Sequence, residues 1–398
     1  MTRNSNLPVY LDNAATTPVD PAVAAVMAEC LTAEGVFGNP ASRSHCYGWD
    51  AEERVEQARV ELAECIGCDP REVVWTSGAT ESNNLAIKGV ALARRDRGRH
   101  VITSRAEHKA VIDSCLWLAR QGFEVTWLDP EPTGVVAPGA VAAALRPETV
   151  LVSLMAVNNE LGVCNDIEAI AALTRPAGVP LHVDAAQALG KMPLDVAALG
   201  ADLMSFSGHK IYGPKGVGAL YVRRHRDLVV EPQIHGGGHE RGLRSGTLAT
   251  HQIAAMGHAC VIADAGLGAE MKRLQQLRTR FLDALAVLPD VKLNGGAERS
   301  VPGIVNLAFG GVDGEALILA LSADVACSTA SACTTATIEP SHVLRAIGLD
   351  DALAHASIRF SVGRFTTAEE VDFAAERVVD TVTRLRSAHA ESPLAAGR

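Results

Sequence analysis

Lysine is rare in this chain of 398 residues, and one of its seven lysines stands where a reactive amine would be useful. Lys210 closes Ser207-Gly208-His209-Lys210, directly after the strand-like run 203–206. The position just past a strand end is where open α/β sheets bind ligands. Lysine is also the side chain that forms Schiff bases with pyridoxal phosphate. The alternative is a surface lysine in a glycine-containing turn. Asp184 ends a second such run, 181–183, in HVDAAQ. A carboxylate there could pair with a protonated pyridine nitrogen, or it could cap a following helix.

Three further segments carry chemistry-bearing residues at strand ends or in a loop. Thr76-Ser77-Gly78-Ala79-Thr80-Glu81 runs from a strand into a small-residue turn and then a helix. Backbone N–H groups and hydroxyls there suit a phosphate, and a plain capping turn is the other reading. His108, in SRAEHKA, could stack on a planar cofactor and shuttle protons, or be structural. Cys333 lies among small residues in CSTASACTTAT, as an exposed, mobile, reactive cysteine would; an incidental cysteine in a loop is the alternative.

The elements that must position these residues alternate. Strand-like runs at 72–76, 100–104, 124–128, 150–156, 181–183, 203–206 and 218–222 are separated by helical stretches. Runs such as VLVSLMA are apolar on both faces, as strands covered by helices on each side should be. Alternation of this kind predicts an α/β domain with a mostly parallel sheet. The pattern changes near residue 264. A leucine-rich stripe predicts a helix over 269–285. Strands at 304–308 and 357–361, a helix at 315–321 and a last helix from about 368, boxed by Thr367 and Glu370, predict a smaller α+β domain. The expected division is a large domain, 17–263, and a small domain of 1–16 and 264–398 that carries the Cys333 loop.

Composition bounds the rest. Hydrophobic residues make up 48% and charged residues 21%, a globular balance that excludes general disorder. The net charge of −10 argues against a nucleic-acid grip by bulk electrostatics. The N-terminus lacks the apolar core of a secretory signal, and no apolar run approaches the ~18 residues of a membrane span. The expectation is a soluble, cytoplasmic protein. Nine cysteines, odd in number and scattered, do not form a disulfide framework. Cys65-Ile-Gly-Cys68 lacks the context of a redox or zinc motif. His235-Gly-Gly-Gly-His239 is too glycine-rich to hold a helical metal pair.

Lysine, aspartate, histidine and a phosphate turn at one end of one sheet point together to a pyridoxal phosphate enzyme. The longer runs sharpen this. YLDNAATTPVD, FGNPASRSH, WTSGATESNNLAIKG, AEHKAV, VNNELG, HVDAAQALGK, DLMSFSGHKIYGPKGVGALYVRR, HGGGHERGLRSGT, SACTTATIEPSHVLRAIGL and SIRFSVGRFTT extend from about Val9 to Thr367. In these runs the chain resembles the cysteine desulfurases of the IscS/NifS type, pyridoxal phosphate enzymes of fold type I.

The resemblance implies the following roles. Lys210 would carry the cofactor. Asp184 would pair with its ring nitrogen, Gln187 would bond its phenolic oxygen, and His108 would stack on the ring and assist proton transfer. Ala79, Thr80, Ser207 and His209 would hold the phosphate, with Thr247 reaching it from the partner of a homodimer. Asn159 would lie beside ring and substrate, and Arg359 would clamp the carboxylate of L-cysteine. Cys333 would take the sulfur as a persulfide, releasing alanine, and would serve as a transient ligand to an iron–sulfur cluster shared with a scaffold partner. The sulfur would go to iron–sulfur assembly and to tRNA thiolation.

Some features depart from that pattern. Ala330 stands where the family usually has glycine, which should stiffen the loop. Cys327, six residues before Cys333, could enter persulfide or disulfide exchange. The C-terminal tail by which the housekeeping branch docks its scaffold is shorter here, ending SPLAAGR. A selenocysteine lyase or aminotransferase on the same fold, and a non-catalytic sulfur-relay protein, are the competing readings.

Overall fold

The computed structural model describes residues 7–329 and 340–390. Its centre is a seven-stranded sheet. After the short strand β1 (Val9–Tyr10), the chain contributes β2 (Val73–Thr76), β3 (His100–Ser104), β4 (Glu124–Leu128), β5 (Thr149–Met155), β6 (Leu181–Asp184), β7 (Leu203–Ser207) and β8 (Gly218–Val222). Their spatial order is β2-β8-β7-β6-β5-β3-β4. β8 runs antiparallel to both of its neighbours, and every other pairing is parallel.

Both faces of the sheet are covered. Along β8, Ala219 and Tyr221 enter one core while Leu220 enters the other, and Trp75 and Val74 of β2 divide the same way. That is the two-residue period of a strand with helices on each side. It explains why β5 reads as an unbroken apolar run and is buried at all seven positions. β2 begins one residue later than expected. Asp69 and Glu72 form a capping box around a short helical turn, with Glu72 reaching back to the Asp69 N–H at 3.2 Å.

The expected helix at 269–285 is the second half of a 36-residue helix, Thr250–Leu285. Gly266 and Gly268 look like a break in the sequence, and the first half lacks the leucine stripe. It packs instead through small residues. A Cβ on Gly257 would lie 2.6 Å from the Ala58 Cα on the Cys46–Ile66 helix. The first half belongs to the core of the large sheet through Ile253, Met256 and Cys260. The second half belongs to a separate core through Leu274, Leu277 and Phe281. The expected boundary at 263/264 therefore falls inside a continuous helix.

That second core lies under a four-stranded antiparallel sheet. Its strands are β9 (Val291–Leu293), β10 (Ile304–Phe309), β12 (Ser328–Thr329) and β13 (Ser357–Ser361), in the order β12-β13-β10-β9. β1 pairs in parallel with β11 (Val325–Ala326), and Val9 and Leu11 enter the same core. The closing helix, Ala368–Ala390, starts at the expected box: the Thr367 N–H donates to Glu370 Oε2 at 3.1 Å and the Glu370 N–H to Thr367 Oγ1 at 3.2 Å. Among the described residues, no helix is long and apolar enough to cross a membrane.

Candidate active site

The parallel strands β3, β5, β6 and β7 all deliver their C-terminal ends to one edge of the sheet, the place where α/β sheets bind ligands. A cavity of about 580 Å³ opens there, within the range usual for small-molecule sites. Ala79, Thr80, His108, Asn159, Asp184, Gln187, Ser207, His209, Lys210 and Arg359 all line it. Thr247 does not line this chain's cavity, and Cys333 and Ala330 lie outside the described residues.

Lys210 sits in a single helical turn, Gly208–Lys210, following β7. Its Nζ donates to the carbonyls of Ala14 at 2.6 Å and Ala15 at 2.8 Å. Burial, with the nearby Arg359 charge, pushes its pKa down to about 8. A sizeable neutral fraction is thus present near neutral pH, as a nucleophilic amine needs. Two residues on, Tyr212 holds φ of 66°, a left-handed conformation unusual for an aromatic residue. Its hydroxyl accepts the Arg364 N–H at 2.5 Å.

Asp184, the last residue of β6, is buried. Its Oδ2 accepts from Asn83 Nδ2 at 2.7 Å and its Oδ1 from the Ala186 N–H at 3.0 Å. No helix follows it, so it is not a helix cap: the Ala186 bond belongs to a turn. His108 does cap a helix, accepting the Ala110 N–H at its Nδ1. That bond leaves the proton of the neutral ring on Nε2. Burial lowers the His108 pKa, against the opposing pull of Asp184. The preceding residue, Glu107, is fully buried. It accepts the Ser104 hydroxyl at 2.8 Å, and burial pushes its carboxyl up to about 8.

The helix Ala79–Ala93 begins at Gly78 with no side-chain cap, so its first N–H groups are left unclaimed by any capping side chain. Its start comes close to the sheet because position 218 is glycine. A Cβ there would lie 2.4 Å from the Phe206 carbonyl oxygen and 2.5 Å from the Gly78 Cα. Ser207 and His209 line the cavity with this helix start. Burial pushes His209 down to about 4, which keeps it neutral.

Arg359 is held from behind. Its Nη1 donates to the Asn159 carbonyl at 3.0 Å and its Nη2 to Asp12 Oδ1 at 2.8 Å. Its Nε and the Asn159 Oδ1 are buried without a hydrogen-bond partner. Buried polar atoms are normally satisfied, so both are suited to a ligand in this cavity. An uncapped helix start, an acid at a strand end, a lysine of lowered pKa and two orphaned polar atoms form a donor set that fits pyridoxal phosphate.

Several contributors were not apparent beforehand. Asp12, Ala14, Ala15 and Asn83 brace Arg359, Lys210 and Asp184 from positions far away in sequence. All four lie inside family-like runs, Asp12, Ala14 and Ala15 in YLDNAATTPVD and Asn83 in WTSGATESNNLAIKG, but nothing local marks them as braces. Cys327 is part of the second core's margin, and burial, helped by Asp12, pushes its thiol up to about 12. It is therefore a poor nucleophile and a weak candidate for exchange. Cys65 hydrogen-bonds the buried Cys260 thiol, and burial pushes Cys68 up to about 12.

Residues 9–373 match the aminotransferase class-V family. The chain is 60% identical to cysteine desulfurase IscS of Azotobacter vinelandii over 380 residues, 96% of this chain and 94% of that protein. This chain belongs to the cysteine desulfurases of the IscS/NifS type, within the class-V aminotransferases. The family is pyridoxal phosphate-dependent, and its fold is type I. Among solved structures, a NifS-like protein superposes with a TM-score of 0.89 at 35% identity, over 95% of this chain and 100% of that one. SspA in complex with cysteine superposes with a TM-score of 0.80 at 38% identity, over 90% and 99%.

Proposed function

We propose that this desulfurase takes sulfur from L-cysteine, releases L-alanine and leaves a persulfide on Cys333. The observation that carries the reading is the convergence of Lys210, Asp184, His108 and Arg359 on one cavity. Ala79, Thr80, Ser207 and His209, with Thr247 from the partner of a homodimer, hold the cofactor's phosphate. Asp184 would pair with its ring nitrogen, Gln187 would bond its phenolic oxygen and His108 would stack on its ring. The bound cofactor supplies an electron sink for charge developing on the substrate. Arg359 holds the substrate carboxylate, a task suited to the planar guanidinium, and Asn159 lies beside it. The Lys210 amine takes and returns the proton at the substrate's α-carbon, and His108 assists through Nε2. The net change balances: L-cysteine and the Cys333 thiol become L-alanine and the Cys333 persulfide.

The sulfur then passes to acceptor proteins, an iron–sulfur scaffold among them, with Cys333 as transient cluster ligand, and to tRNA thiolation. A cytoplasmic homodimer is the expected state. The exposed pair Phe37 and Tyr47, their rings 5.3 Å apart, supports an interface. The division into 17–263 and 1–16 with 264–398 is supported by the membership of Val9 and Leu11 in the second core. Incubation with L-cysteine and a thiol reductant should yield equal amounts of alanine and sulfide. Absence of alanine from cofactor-loaded protein would refute the activity.

A further inference from the structure

Lys191 has no part in the chemistry so far, yet its ammonium end is turned into the interior beside the active site. Its Nζ donates to Gln187 Oε1 in a short hydrogen bond. Gln187 is itself buried, lines the cavity, and donates from Nε2 to the Ala14 carbonyl at 2.7 Å. That same carbonyl accepts Lys210 Nζ at 2.6 Å. A continuous chain of bonds therefore runs from Lys191 through Gln187 and Ala14 to Lys210.

An amide has two unlike ends, and its orientation follows from its partners. As an ammonium Lys191 offers only donors, so it requires Oε1 on its side. The Ala14 carbonyl offers only an acceptor, so it requires Nε2 on the other. The two together leave one orientation, with the N–H donors on the Ala14 side. From this we infer that Lys191 is a positioning residue, which holds the Gln187 amide so that its Nε2 can serve the cofactor's phenolic oxygen. The inference rests on the proposed placement of Gln187 beside that oxygen.

Burial, reinforced by Lys210 and Arg359 and opposed by Glu270, pushes Lys191 down to about 7. Tyr212 and Arg364 line the same interior space as Lys191, Lys210 and Glu270. Both protonation states of the amine carry N–H donors, so the bond to Oε1 survives its titration. The charged form strengthens it and draws electron density from the amide, which makes Nε2 a better donor.

The test is a spectroscopic pH titration of the cofactor-loaded protein, without substrate, for wild type, Lys191→Met, Gln187→Leu and the double variant. A donor at the phenolic oxygen favours its ionised form, so its loss should raise the midpoint of the absorbance change. We expect both single variants to raise it by about one pH unit, and the double variant to match Gln187→Leu. Lys191→Gln, which keeps a donor, should restore part of the shift. An unshifted midpoint in Lys191→Met beside a shifted one in Gln187→Leu overturns the positioning role and leaves the Gln187 reading intact. Additive shifts overturn it as well, because Lys191 would then act independently of the amide. If Gln187→Leu is unshifted, the Gln187 reading itself falls. Should Lys191→Met not fold, Lys191→Ala, which also removes the donor, decides: a midpoint raised toward that of Gln187→Leu supports the inference, and one unmoved from wild type overturns it.

Discussion

Replacing Arg359 with lysine keeps the charge and removes the fork, and the consequence follows from three atoms. Nη1 is bound to the Asn159 carbonyl, Nη2 to Asp12, and Nε is buried without a partner. A lysine has one nitrogen to serve both protein acceptors and the substrate carboxylate. At least one charge-assisted hydrogen bond to the substrate is then lost, about 1.5–3 kcal/mol. At about 1.4 kcal/mol per factor of ten, kcat/KM for L-cysteine should fall about 10- to 150-fold. The carboxylate is bound alike in ground and transition states, so most of the loss should appear in KM. The assay is alanine formation against cysteine concentration, with thermal melting as a check on folding. Cysteamine, which has no carboxylate, should react with both proteins at similar rates. A KM for cysteine unchanged in the folded Arg359→Lys protein would refute the clamp.

Three other outcomes follow from the same geometry. Gly218→Ala forces a Cβ against the Phe206 carbonyl and the Gly78 Cα. It should destabilise the protein by about 1–3 kcal/mol and weaken cofactor binding, as melting and cofactor titration would report. Lys210 must be neutral to bond the cofactor, and its pKa stands near 8. The rate at which apoprotein takes up pyridoxal phosphate should therefore rise about tenfold per pH unit below that value and level off above it; a flat stopped-flow profile from pH 6 to 9 contradicts the assignment. Cys327→Ser should turn over cysteine at the wild-type rate, because the Cys327 thiol is held well above the range in which it ionises.

The strands and their ends were the most legible part of the molecule. β5 is apolar on both sides because two cores use it, and Asp184 and Lys210 stand out because both follow such runs. His108 and the turn at 76–81 are legible in the same way, whereas Gln187, Asn159 and Arg359 are legible only within the long family-like runs. What spacing hid was of two kinds. The first half of the Thr250–Leu285 helix carries only a thin stripe, Ile253, Met256 and Cys260, and otherwise packs through Ala and Gly, which give a weak pattern to read. The bracing contacts join positions far apart: Asp12 to Arg359, Asn83 to Asp184, Ala14 to Lys210. No local pattern encodes such a pair. Lys191 is one more residue in a recognisable run until its bond to Gln187, four residues before it, gives it a role.

The most direct test of the account is to treat cofactor-loaded protein with L-cysteine, block thiols, digest it and map added sulfur by mass spectrometry. The account predicts one additional sulfur atom on Cys333, none on Cys327, and no labelling at all in a Lys210→Ala protein. Sulfur on another cysteine, or on Cys333 without Lys210, would contradict it.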